Sequence, residues 1–215
     1  MKDKDLAEQN YKRFCGLEGS DYIASEFALA TILRIIKLFN VHTVLELGLG
    51  IGSISDTVLK YAKKEPQKIS YAGTERNEFC LEALKKNVTE YNQIELFSEL
   101  NHIRNKKFDF IIIDGYDDTL KEVVAFCQKN TIIFIEGDRK GQTATIREIF
   151  PKNSYVNIIT LTKNKPYSHS GGDTNNYVGG GQLIFINPTL KMQLFWFQQK
   201  AATFIKNQIR LYHEK

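Results

Sequence analysis

Apolar positions change their spacing along this chain, and the changes mark its elements. "DYIASEFALATILRIIKLF" (21–39) places Ile23, Phe27, Ala30, Ile32, Leu33, Ile36 and Leu38 broadly at helical spacing, with Ser20 or Asp21 as its cap. "HTVLEL" (42–47) is too short for a helix and reads as a buried strand. The same contrast then repeats. Strands are predicted at 68–75, 93–98, 108–115, 131–137, 155–162 and 182–187. Helices are predicted at 53–64, 77–91, 119–129 and 142–150, and a closing helix at 189–213 carries Leu190, Leu194, Phe197, Ala201, Phe204 and Ile205.

Strands alternate with helices through the sixth strand, and "FDFIIIDG" (108–115) has a continuous apolar centre. That is the pattern of a parallel sheet covered on both faces. No helix separates the last two strands, so the seventh is expected to run antiparallel. The predicted fold is α/β: a doubly wound, seven-stranded, mostly parallel sheet. It forms one domain over 1–215, with a helical cover at 1–40 and the closing helix at 189–213.

Composition narrows this only a little. The chain is 42% hydrophobic and 25% charged, has no repeat, and carries a net charge of +4. "MKDKDLAEQNYKRF" is polar and mixed in charge, unlike a signal peptide, and no apolar stretch is long enough for a bilayer. The expectation is a cytoplasmic protein without a membrane partner. Cys15, Cys80 and Cys127 are scattered, which argues against a disulfide framework or a zinc knuckle. The mild positive charge lies partly in "KNQIRLYHEK", and a solvated helix end explains it better than a nucleic-acid surface.

Candidate chemistry is concentrated at "TVLELGLGIGS" (43–53). Gly48, Gly50 and Gly52 stand at every second position after the first strand, where a doubly wound sheet binds its ligand. The spacing differs from the G-x-G-x-x-G of dinucleotide sites, with Ser53 at the third fingerprint position, and there is no Gly-Lys-Ser/Thr of a phosphate loop. Glu46, two residues before the first glycine, would repel a phosphate and suit a ligand carrying an amine. Glu75 closes the second strand, where a carboxylate can accept hydrogen bonds from ribose hydroxyls.

With those residues in order, "VLELGLGIG" resembles the first motif of the class I S-adenosylmethionine-dependent methyltransferases, E/D-x-G-x-G-x-G. The resemblance covers about residues 20–187, with its motifs in 44–115. It implies S-adenosylmethionine as cofactor, held by Glu46, Gly48, Gly50, Gly52, Glu75 and Asp114. Ser98 or Glu99 after the third strand would meet the adenine. It implies methyl transfer to a small-molecule acceptor, most simply at oxygen. A non-catalytic cofactor-binding protein of the same fold and a protein or nucleic-acid methyltransferase are the alternatives. The tetrapeptide that accompanies amino-methylation of bases is replaced here by "DGYD".

Catalytic groups are expected at the ends of the fourth and fifth strands and in nearby loops. Asp114, Glu136 and Asp138 stand there, and together they resemble the acids that hold Mg2+ or another divalent cation in the metal-dependent O-methyltransferases. The chain departs from that pattern: "IEGDRKGQ" stands where Asp-Asn is usual. Asp114 could instead order its loop, and Glu136 or Asp138 could pair with Arg139. The polar segment 163–181 is long for a connection, as lids and binding loops are. Its His169 is a candidate general base beside Asp114 and Asp138. Tyr22 and Glu26 are placed to cover the cofactor, and the apolar faces of the closing helix allow a homodimer.

Overall fold

The structure, a computed structural model, describes residues 3–66, 68–115, 119–168 and 173–213. Among these, seven strands form one sheet: β1 (Thr43–Leu47), β2 (Ser70–Thr74), β3 (Ile94–Phe97), β4 (Phe108–Ile113), β5 (Cys127–Glu136), β6 (Asn153–Ile158) and β7 (Gly181–Ile186). Their order is β3-β2-β1-β4-β5-β7-β6. β7 runs antiparallel to both neighbours and the other six strands are mutually parallel, as expected. Strand order reverses between β1 and β4, so a crevice opens at their carboxyl ends.

Both faces of the sheet are covered, which is why its strands read as continuous apolar runs. Val44, Tyr71, Phe110, Ile112, Phe134 and Phe185 pack on one face, against α1 (Asp3–Cys15), α2 (Glu26–Phe39) and α3 (Ser53–Lys64). Leu45, Leu47, Ile111, Ile113, Ile133 and Ile135 pack on the other, where Ile146 of α5 (Lys140–Ile149) joins them. α4 (Glu78–Asn87) adds Cys80, Ala83 and Leu84 to the first face.

Helix α1 lies within the expected helical cover, in a stretch whose composition is polar. Leu6, Ala7, Asn10, Tyr11 and Phe14 are its buried face, at helical spacing. Asn10 Nδ2 donates to Thr57 Oγ1 at 2.7 Å, and Arg13 meets the fully buried Asp56 at 2.6 Å. Lys60 reaches the same Asp56 oxygen at 2.6 Å, and the other oxygen accepts from Thr89 N at 2.8 Å. One carboxylate therefore ties α1 to α3 and to the end of α4.

Several boundaries differ from expectation, three of them with a visible local cause. Helix α2 starts after Ser25, whose side chain accepts from Ala28 N at 3.2 Å, so neither Ser20 nor Asp21 is the cap. The stretch 119–129 forms a short 3₁₀ helix, Leu120–Phe126, and β5 already begins at Cys127. There the β4–β5 register shifts, and Thr131 Oγ1 bridges Phe108 O (2.8 Å) and Gln128 N (2.7 Å). β6 ends at Ile158 rather than 162, because the chain turns: Thr160 Oγ1 accepts from Thr162 N at 3.0 Å.

The closing helix α6 (Leu190–His213) lies along β6. Only Met192 and Phe195 of its side chains are buried. Polar contacts hold it as well: Trp196 Nε1 donates to Tyr155 O (2.7 Å), Lys206 Nζ to Ile159 O (2.8 Å) and Arg210 Nε to Thr160 O (3.1 Å). Among the described residues, no helix is long and apolar enough to cross a membrane.

Candidate active site

The floor of the crevice is backbone. Gly48 N and Leu49 N both donate to Thr74 O (3.1 Å), and Asp114 N and Gly115 N donate to Leu47 O (3.0 and 2.7 Å). The ends of β1, β2 and β4 are thus held together. Gly48 has φ +86°, and a Cβ there would lie 2.6 Å from the backbone of Gly115. Two glycines let these segments touch, a contact no other residue permits.

Two cavities share this floor, one of about 570 Å³ and one of about 540 Å³. Tyr22, Gly48, Glu75, Asp114, Gly115 and Arg139 line both, so they form one cleft with two lobes. The smaller lobe continues to Thr74, Arg76, Ser98 and Glu99. The larger continues to Asp21, Ser25, Glu136, Tyr177 and Gly179. Each is within the size range of small-molecule sites.

Glu75 sits at the junction. Its Oε2 accepts from Gly50 N at 2.8 Å, and its Oε1 from Arg76 N (2.9 Å) and Asn77 N (2.8 Å). A carboxylate has about four acceptor directions, so one remains on Oε2 for a ligand hydroxyl. Ser98 lines the smaller lobe with its hydroxyl 2.8 Å from His102 Nδ1, and Glu99 lines it as well. Gly50 faces the cleft. Gly52 does not line either lobe: at φ +98° it opens α3, and a Cβ there would lie 2.4 Å from Val88.

Glu46 requires a correction. It is fully buried and lines neither lobe, because it points from β1 into the packed face that holds Tyr71. The Tyr71 hydroxyl donates to its Oε2, while Oε1 has no partner. Burial, then Asp114 and Glu75, hold its carboxyl well above the usual carboxylate range. Its surroundings favour the neutral form, and it is not placed to touch a ligand in either lobe. The acidic character of the cleft comes from Asp21, Glu75, Asp114 and Glu136.

Asp114 follows the last residue of β4, and Glu136 ends β5. Burial pushes the Asp114 carboxyl up to about 7, with Glu136 adding to the rise and Arg139 opposing it. Burial also raises Glu136, against the hydrogen bond from Ser25 N (3.3 Å) and the charge of Arg139. Arg139 lies beside both. Its Nη2 donates to Asp114 O and lies 3.3 Å from Asp114 Oδ1, and its Nε donates to Glu136 O at 3.0 Å.

Asp138 is not brought to this point. Gly137, at φ +72°, turns the chain, and the Asp138 side chain is 70% exposed, 3.6 Å from Lys140. The expected set Asp114, Glu136 and Asp138 is therefore corrected: the three do not converge, and a guanidinium sits where a cation would be needed. Among the described residues, no group of three or more His, Cys, Asp or Glu side chains is placed to hold a metal. The described residues here do not form a divalent-ion site.

His169 lies outside the described residues. The flanking parts of its segment fold back as a paired ribbon, with Lys163 bridged to Tyr177 and Val178 N donating to Thr162 O at 2.9 Å. Asn164, Ser168, Tyr177 and Val178 line the larger lobe. Lys165 ties the ribbon to the cover through Glu8 and, at 3.0 Å, Glu26. Tyr22 lines both lobes, while Glu26 holds the ribbon. Sequence reasoning missed Ser25 and Tyr177 as lining residues, and it gave Arg139 only as a partner of acids. The signal for Arg139 was its place three residues beyond the acid that ends β5.

Strand order, the antiparallel β7 and the glycine turn define the fold of the class I S-adenosylmethionine-dependent methyltransferases. The chain is similar to an O-methyltransferase from Bacillus cereus in complex with SAH, at 13% identity and TM-score 0.59, covering 85% of this chain and 90% of that one. It is also similar to the O-methyltransferase TomG from Streptomyces achromogenes, involved in tomaymycin synthesis and solved with SAM. There identity is 15%, TM-score 0.56, and coverage 86% and 90%. An SAH-bound methyltransferase from Podospora anserina matches at 11% identity and TM-score 0.56, with 85% and 87% covered. No protein-family model matches the chain, and no curated protein matches it by sequence.

Proposed function

We propose that this chain is an S-adenosylmethionine-dependent methyltransferase acting on a small molecule, with oxygen as the receiving atom and residues 1–215 working as one domain. The observation that carries the reading is the two-lobed cleft meeting at Gly48, Glu75 and Asp114. The lobe running to Ser98 and Glu99 suits a nucleoside, with Glu75 accepting from the ribose. The lobe running to Ser25, Glu136 and Tyr177 suits an acceptor. The bound proteins among the similar structures support the same cofactor.

When bound, the cofactor supplies an electrophilic methyl on a sulfonium. This chain's residues then position the acceptor and take its proton. Asp114 is the base: its carboxyl, pushed up to about 7, is poised for transfer near neutral pH. Arg139 holds that carboxyl in place and favours its ionised form. The acidic lining as a whole favours a cationic ligand over a phosphorylated one.

The test is transfer of labelled methyl from S-adenosylmethionine to a panel of hydroxylated small molecules, read across pH. A base must be deprotonated to act, so kcat/KM rises through about pH 7 and then levels. The Asp114→Asn variant loses about 10²–10⁴ in rate and the rising limb with it. No S-adenosylhomocysteine binding at tens of micromolar overturns the proposal. Binding without transfer to any acceptor leaves a cofactor-binding protein of the same fold.

A further inference from the structure

Helix α6 has an apolar face that the other described residues leave uncovered. Leu190, Leu194, Phe197, Ala201, Phe204 and Leu211 are all exposed, with Leu190 at 73% and both phenylalanines at 66%. With Gln208, their spacing is four, three, four, three, four and three residues over the whole helix. That is the 3.5-residue repeat of a helix packed lengthwise on another helix. A helix covering only its own sheet would follow 3.6 and bury its stripe; here only Met192 and Phe195 are buried.

We infer that this face is a homodimer interface in which α6 packs antiparallel against α6 of a second copy, about a two-fold axis near Ala201. Three observations select that occupant. The stripe reads Leu-Leu-Phe-Ala-Phe-Gln-Leu, nearly the same in reverse. A two-fold contact needs a patch complementary to itself, and this order sets small Ala201 centrally with a phenylalanine on either side. The area is sufficient. With Ile205 and Tyr212 at its edge, the face offers about 900 Å² per copy, against the roughly 800 Å² per partner of a stable interface.

The third observation is where the cations go. The helix has no Asp or Glu over 189–213, a composition that would also fit an anionic lipid surface. Its cations, however, turn towards the protein body. Lys191 donates to Leu38 O, Lys206 to Ile159 O and Arg210 to Thr160 O, and Lys200 lies 4.8 Å over the Trp196 ring. The outer stripe is left apolar without a basic rim, as a helix partner requires and a headgroup layer does not.

Sedimentation velocity of the full chain at about 1–50 μM measures the state directly. Wild type is expected as a dimer, and the Phe197→Glu/Phe204→Glu double variant as a folded monomer with unchanged circular dichroism and unchanged S-adenosylhomocysteine binding. Orientation is read by cysteine cross-linking, scored against the wild-type thiol background. Ala201→Cys is expected to link to its copy, and Leu190→Cys is not. A monomeric wild type, a double variant that stays dimeric, or equal linking at both positions overturns the inference. So does a monomer that floats with phosphatidylcholine/phosphatidylserine vesicles and loses that flotation in the double variant, which would assign the face to lipid. None of these readouts depends on methyl transfer.

Discussion

Replacing Glu46 by Gln removes an ionisable proton from a carboxyl that the fold keeps from water, with almost no change of shape. The folded protein holds that carboxyl well above its ordinary pKa, chiefly through burial. The unfolded chain releases the same proton near about pH 4.3. Between those two values the folded state carries a proton that the unfolded state has lost, so wild-type stability falls as pH rises. The slope is about 1.4 kcal/mol per pH unit for one group. The Glu46→Gln protein lacks this dependence. Relative to wild type it gains up to about 3 kcal/mol between about pH 5.5 and pH 7.5, the full amount only while the folded proton stays on, or up to roughly 1 M in urea midpoint. Urea unfolding of both proteins at the two pH values measures it. A constant gap would mean that Glu46 is ionised in the folded protein. Calorimetry gives a second readout. An ionised carboxylate about 4 Å from a ligand cation would contribute about 4 kcal/mol, roughly a thousandfold in affinity. A protonated, buried one leaves the affinity for S-adenosylmethionine within about fivefold, and a hundredfold loss in the variant would refute the reasoning.

The Glu75→Gln variant keeps the fold but weakens its contacts at the junction, lowering S-adenosylhomocysteine affinity by about 10- to 100-fold; unchanged calorimetric affinity would remove Glu75 from the cofactor site. Removing the fully buried carboxylate in Asp56→Ala takes the charge partner from Arg13 and Lys60, which keep the neutral acceptors Asn87 O and Asn10 Oδ1. Both cations are partly exposed, so the loss in urea unfolding is about 2–3 kcal/mol, below the 3–5 of a wholly buried pair. Binding of a cationic cofactor lowers the raised Asp114 carboxyl, so a proton leaves at about pH 6.5. Binding heats in phosphate and Tris should then differ for S-adenosylmethionine, and less for the uncharged thioether of S-adenosylhomocysteine; equal heats in both buffers would contradict the electrostatics described for the cleft.

Much of the fold was legible because the sheet is covered on both faces. Runs such as Ile111–Ile113 have no amphipathic reading, and helices fall between them at a second period. Within the expected helical cover, the buried face of α1 was not legible because it includes Asn10 and Tyr11, and its attachment to the core runs partly through Asp56. The glycine turn and Glu75 stood out by order and spacing, and the structure places Gly48, Gly50 and Glu75 along the cleft. The role assigned to Glu46 failed for a reason the sequence also contained: a strand buried on both faces gives a carboxylate in its interior no route to solvent. Asp138 failed differently. Whether a side chain one residue beyond Gly137 turns into the cleft or away depends on that glycine's positive φ, which the letters do not specify.

Trp196 is the chain's single tryptophan, and its indole is fixed to Tyr155 O where the closing helix meets the sheet's far edge. Intrinsic emission is therefore a private gauge of that seam. It will follow detachment or pairing of the helix and stay quiet while the cleft fills, so ligand titrations need a reporter elsewhere.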